Sequence, residues 1–224
     1  MEIKRLLGYF VLLLAGAVAG AADHPELRSW LAAQANIQTW SADLTQTRRL
    51  KTLTQPLVST GHVWFAAPNR FRWEIGSPAQ TIAVRSGDEM QVIYPRLKRV
   101  EKYPLTGEKL GQWKDTLALL EAGFPRSEAE LDRQFKILSV TTSNAVAHLE
   151  LEPKSVSARR MMPRITIDLA STNFALVATE LEFGDGSTMR NDFRNQQVNP
   201  AIAPGLFAPP IDPAFKVVEP IGRK

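Results

Sequence analysis

Gly61-His62-Val63-Trp64-Phe65-Ala66-Ala67-Pro68-Asn69-Arg70-Phe71-Arg72-Trp73-Glu74 is the stretch that decides the fold, and it runs on through Ser77-Pro78, Thr81-Ile82-Ala83-Val84, Ser86-Gly87-Asp88-Glu89 and Val92-Ile93-Tyr94-Pro95. Short alternating segments are punctuated by Pro, Asn and Gly, the pattern of antiparallel hairpins. Phe71, Trp73 and Ile75 recur at period two and share a face, with Arg72 and Glu74 on the other. Val63 and Phe65 share a face opposite Trp64, and the alternation leaves open which of the two sets points inward. Nothing here supplies a nucleophile, a metal cage or a phosphate loop. An aromatic-rich β-wall suits the holding of an apolar ligand better than catalysis.

The same rhythm extends in both directions. Upstream, Asp23 and Glu26 form a capping box for a helix whose Leu27, Trp30, Leu31 and Ala35 fall at helical spacing. Strands are expected over Ser41–Leu50, Leu57–Phe65, Arg70–Ile75, Gln80–Arg85, Glu89–Tyr94 and Lys98–Tyr103. A helix is expected over Gln112–Ala122, with Trp113, Leu117 and Leu120 on one side, then a short one opened by Ser127 and Glu130 and running through Leu131. Strands resume at Phe135–Val140, Ala145–Glu152, Arg164–Leu169, Leu176–Phe183 and Ser187–Phe193, and Leu206–Phe207 in the proline-rich tail is expected on a sheet edge. So many strands in one sheet curl, and the apolar helix faces need a cover. The fold class is α+β, mainly antiparallel β: an incomplete curved barrel of about ten or eleven strands with helices covering a hydrophobic cavity.

Bulk composition narrows the setting. Residues 1–22 read as a cleavable signal peptide: Lys4 and Arg5, an apolar Leu6–Val18 core and small residues at Ala19–Ala22. Residues 23–224 then form one domain, and export without cysteine fits a bacterial periplasm or exterior. With no Cys, the chain has no disulfide and no thiol chemistry. A formal net charge of +4 is too mild to indicate nucleic acid, and no nucleic-acid motif is present. No nucleotide-binding motif, cofactor site or metal-ligand spacing appears; His24, His62 and His148 are scattered. Ser59 near His62 supplies part of a triad, but no nucleophile elbow surrounds it.

The order Gly61, Trp64, Pro68, Phe71-Arg72-Trp73, then Pro78, Ile82–Val84, Gly87 and Tyr94-Pro95, and a tail of Phe207, Pro209-Pro210 and Phe215–Val218, resembles the LolA-like family of periplasmic carriers of outer-membrane lipoproteins over about residues 23–219. The resemblance implies a lipid-binding cavity. Phe71, Trp73, Val63 and Phe65 would form its wall, and Leu27, Leu31, Trp113 and Leu117 the underside of its lid. It also implies that the residue at Phe71 affects cargo handling. The partners it implies are an acylated lipoprotein or other lipid cargo, an inner-membrane ATP-driven release complex as donor and an outer-membrane LolB-like acceptor, with the carrier a monomer and not an enzyme. The chain departs from the family at Ala67, where an Arg that latches the lid is expected before Pro68. That departure leaves room for a paralogue carrying a different amphiphile, such as a glycolipid or polyketide-like lipid; a periplasmic lipid-sensing or scaffold module is a further alternative. Arg96, Lys98, Arg99 and Lys102 form the densest basic run. It reads either as a docking strip, with Arg96, Lys98, Val100 and Lys102 on one face, or as a solvated sheet edge. Met161-Met162 reads as core filler or as adaptable apolar surface near the opening.

Overall fold

The structure, a computed structural model, describes residues 25–105 and 127–219. The signal segment and the expected Gln112–Ala122 helix, with Trp113 and Leu117, lie outside the described residues. Among those described, the chain runs through helix α1 (Pro25–Ala35) and strands β1 (Thr39–Arg49), β2 (Leu57–Ala66), β3 (Arg70–Ile75), β4 (Thr81–Ser86), β5 (Glu89–Tyr94) and β6 (Arg99–Pro104). Helix α2 (Glu128–Gln134), β7 (Phe135–Ser143) and β8 (Val146–Pro153) follow, then α3 (Val156–Met161), β9 (Arg164–Ala170), β10 (Leu176–Glu182), β11 (Thr188–Val198) and β12 (Lys216–Val218).

The strands join in one twelve-stranded open sheet, ordered β12-β6-β5-β4-β3-β2-β1-β11-β10-β9-β8-β7. Neighbours are antiparallel except β12, which runs parallel to β6. Sequential hairpins build each half, and the long-range pairing of β1 with β11 joins them. The hairpin chemistry is as read: Gly87 turns β4 into β5 at φ 59°. Gly61 serves a different need, since a Cβ there would lie 1.9 Å from the Glu74 carbonyl oxygen, so β2 and β3 approach closely only without a side chain. The Ser127 hydroxyl accepts from the Glu130 N–H and starts α2, as its capping box predicts.

The structure corrects one expectation and adds two short elements. The tail's Leu206–Phe207 is not an edge strand but part of a 3-10 turn, Pro204–Phe207. A three-residue strand, β12, brings the sheet to twelve, and it covers the edge that β6 would otherwise leave bare. Helix α3 went unread because it is only six residues long; its signal is Ser155, whose hydroxyl accepts from the Ala158 N–H.

The two faces of the sheet are packed differently. On the concave face, Trp40, Ala42 and Leu44 of β1 join Val63 of β2, Phe193 of β11 and the Ile165–Ile167–Leu169 row of β9 in the main core. Helix α1 lies over this core with Leu27, Trp30 and Leu31 buried, and α2 adds Leu131. On the convex face the tail folds back, and Phe207 packs on Ala66 and Val84 beside Trp64 and Ile82. Arg70 stacks over the Phe207 ring at 5.3 Å, and Arg72 donates to the Leu206 carbonyl at 3.0 Å.

Candidate functional site: the concave aromatic wall

Strand register settles which side of Val63-Trp64 faces inward. Val63 lies opposite Trp73 and Phe65 opposite Phe71, while Ala42 and Trp40 of β1 lie opposite Val63 and Phe65. Val63, Phe65, Phe71 and Trp73 therefore share the concave face with the core. Trp64 points to the convex side, where its ring meets that of His62 at 4.1 Å. Trp73 meets Phe193 edge-on at 6.1 Å, and Phe193 meets Trp40 edge-on at 5.4 Å. Such pairs contribute about 0.5–1.5 kcal/mol each beyond the area they bury.

Leu27, Leu31, Val63, Phe65 and Trp73 thus converge on one core. Phe71 does not join it. It packs instead in a neighbouring cluster with Met90, Val92, Tyr103 and Leu105. Phe65, Phe71, Trp73 and Ile75 are only half-buried, so apolar wall remains available from β2 to β5. Among the described residues, little space is left beneath α1 at its contact with β7–β9. The void bordered by Glu26, Leu27, Trp30, Val140, Ala147, Leu149 and Leu169 measures about 10 Å³, the space of roughly one water molecule. Trp30 and side chains of β7–β9 pack closely beneath this part of α1. Met162 is buried in this core and Met161 is exposed, so the pair divides between its two readings.

At the far end of the concave face the wall turns polar, which the sequence reading missed. Register sets Val92 against Glu101, Met90 against Tyr103, and Tyr94 against Arg99. The Tyr103 hydroxyl donates to Glu101 at 2.6 Å, and Arg99 pairs with the same carboxylate at 2.5 Å. Burial, then the hydrogen bond to Glu101 and its charge, push the Tyr103 phenol well above the ordinary tyrosine value; burial and Glu101 raise Tyr94 as well. The available signal was the period-two spacing of Arg99, Glu101 and Tyr103 within the apparent basic run.

That run does not form one strip. Arg96 sits in a 3-10 turn, Pro95–Leu97, and Lys98 takes a left-handed conformation at φ 47°, so β6 begins only at Arg99. Arg99 points to the concave side, whereas Lys102 points to the convex side, 3.5 Å from Glu89. Of the four residues expected to share a face, only Val100 and Lys102 do. Ala67 sits in the turn that follows β2, and its N–H donates to the Gln38 carbonyl at 2.8 Å. Its methyl group offers no latch.

The Ser59–His62 pair is not formed, because the two side chains lie on opposite faces of β2; His62 instead contacts Asp43 at 2.8 Å. A chain of triad-like spacing does occur on the convex face: Ser143 Oγ lies 3.0 Å from His148 Nε2, and His148 Nδ1 lies 2.8 Å from Asp168. Arg190 holds the second Asp168 oxygen at 2.8 Å and also reaches Glu180 and Asp192. Burial lowers the affinity of Arg190 for its proton, but the hydrogen bond and charge of Asp168 outweigh this and raise it. Ser143 closes β7 at a two-residue hairpin and not at a strand-to-helix elbow. The group is a cross-strand ladder that compensates the buried Asp168 carboxylate. Among the described residues, no cluster of three or more His, Asp or Glu is arranged to hold a metal, and no helix is long and apolar enough to cross a membrane.

Comparison with known proteins adds to this geometry. The family model described as "Outer membrane lipoprotein carrier protein LolA" matches residues 35–210. The chain belongs to the LolA family. Outer-membrane lipoprotein carrier proteins of Bordetella avium and Dechloromonas aromatica are 26% and 27% identical to it, over 92% and 88% of this chain and 91% and 87% of their own. A crystal structure of an uncharacterized conserved protein from Thermus thermophilus shares the fold at a TM-score of 0.52 and 8% identity, covering 86% of this chain and 98% of that one.

Proposed function

We propose that this LolA-family chain is a periplasmic carrier that shields acyl chains on its concave face during transfer from the inner to the outer membrane. The observation that carries the reading is the half-buried apolar wall of Phe65, Phe71, Trp73 and Ile75, continuous with a core over which α1 lies. Each methylene of an acyl chain costs about 0.8 kcal/mol in water, so a lipidated protein needs such a shield to cross an aqueous compartment. Because the space beneath α1 is small, uptake requires α1 to lift and expose Leu27, Trp30 and Leu31 together with the wall. Residues 1–22 serve as the export signal. No energy source is needed within the chain if an ATP-driven inner-membrane complex loads it and a LolB-like acceptor of higher affinity unloads it.

Ala67 favours a second reading within the same class, a carrier whose cargo is another amphiphile. A carrier with no arginine at the rim has one latch fewer between wall and lid. Incubating the purified mature protein with spheroplasts separates the two. Release of lipoproteins into the soluble fraction is the expected result, and Phe71→Glu should abolish it while the variant stays folded. Failure to release any lipoprotein, together with a different lipid co-purifying in native mass spectrometry, would replace the first reading with the second.

A further inference from the structure

Two polar atoms under α1 have no partner among the described residues: the indole Nε1 of Trp30, a residue with no exposed surface, and the side-chain Oε1 of Gln34, a residue only 5% exposed. They stand one helical turn apart on the buried face of α1, flanked by Leu27 and Leu31. An unmade hydrogen bond at a buried donor or acceptor destabilises by about 1–3 kcal/mol. The same core satisfies a comparable pair elsewhere. Trp40 Nε1 donates to Gln196 Oε1 at 3.3 Å, and Gln196 Nε2 donates to the Leu176 carbonyl at 2.6 Å. The small void beneath α1 is bordered by Glu26, Leu27 and Trp30 of the helix and by side chains of β7, β8 and β9, and the strand side chains are all apolar.

We infer that Trp30 and Gln34 are a polar clasp for the linkage of an amide-bound acyl chain. The indole N–H can donate only, and the Gln34 carbonyl oxygen can accept only. A ligand that satisfies both must present an acceptor and a donor within one small group surrounded by hydrocarbon. A secondary amide does so through its C=O and N–H. An ester presents the carbonyl acceptor alone and leaves Gln34 Oε1 unpartnered. The clasp thus distinguishes N-acylated cargo from ester-linked lipids carrying the same chains. This inference rests on the carrier reading, because α1 must lift for a chain to enter.

The test uses N-hexadecylacetamide and hexadecyl acetate, each displacing a fluorescent fatty acid from the mature protein. The amide should displace about fivefold more effectively, the worth of one net hydrogen bond. Gln34→Met, similar in volume, should erase this preference while leaving ester binding intact, and should raise the melting temperature of the ligand-free protein because a buried orphan is gone. Trp30→Phe should weaken both ligands alike, since both offer the carbonyl. Equal displacement by amide and ester in the parent protein, or an amide preference that survives Gln34→Met, would overturn the clasp and leave the carrier reading standing. If the fluorescent fatty acid does not bind at all, the carrier reading fails and the clasp falls with it.

Discussion

At the scale of single residues, the charged and hydroxyl groups that β6 places on the concave face are bound to one another: the Glu101 carboxylate receives the Tyr103 phenol at 2.6 Å and the Arg99 guanidinium at 2.5 Å. A neutral Tyr103 is part of that arrangement. Its folded-state pKa is raised above the ordinary value of 10.0. The stability this contributes is complete below about pH 10 and declines above it, where the unfolded chain loses a proton that the folded chain keeps. The slope is at most about 1.4 kcal/mol per pH unit for this group. Urea unfolding followed from pH 8 to 11 should show the decline, and Tyr103→Phe should flatten it. An equally steep decline in the variant would assign it to other groups. The pairing was hidden in the sequence because Arg99 reads as one more cation in a basic run; only register places Glu101 and Tyr103 beside it.

At the scale of elements, the tail is the least regular part of the chain and yet an essential cover. Its Pro204–Phe207 turn seals the convex side of β2–β4 by inserting Phe207 between Ala66 and Val84. Phe207 is 3% exposed. Replacing a buried Phe by Ala costs about 3–5 kcal/mol, so Phe207→Ala should lower the melting temperature by roughly 10 °C without altering the concave face. Calorimetry checks the first part and fatty-acid displacement the second. A proline-rich stretch is visibly unsuited to a central strand, which the sequence conveys. Whether it lies on an edge or across a face depends on where an apolar surface is left uncovered, and that is a property of the assembled sheet.

At the scale of the whole molecule, stability is unevenly distributed. Strands β1 and β11 have paired neighbours on both sides and form the seam between the halves. Helix α1 buries one face only and carries two unpartnered polar atoms on it. Native-state hydrogen exchange should therefore find the amides of α1 exchanging through an opening of markedly lower free energy than those of β1 and β11. Exchange of all three at one common free energy would rule out a lid that moves independently of the sheet.

What the chain determines by itself is local and periodic. Alternation in Val63–Trp73 specifies strands and which residues share a face, Gly87 specifies a hairpin, and Ser127 with Glu130 specifies a helix start. Spacing and punctuation were thus enough for a curved antiparallel sheet with helices and for which of these side chains share a face. The handedness of that membership, with Val63 and Phe65 inward and Trp64 outward, was decided only by register against β1 and β3, because a period of two is symmetric until one face meets a core. The separation of Phe71 from the main core and the breaking of the basic run at Lys98 were likewise decided by the tertiary structure. Each depends on which distant surface a side chain meets, and an amino-acid sequence carries no coordinates for contacts made across the fold.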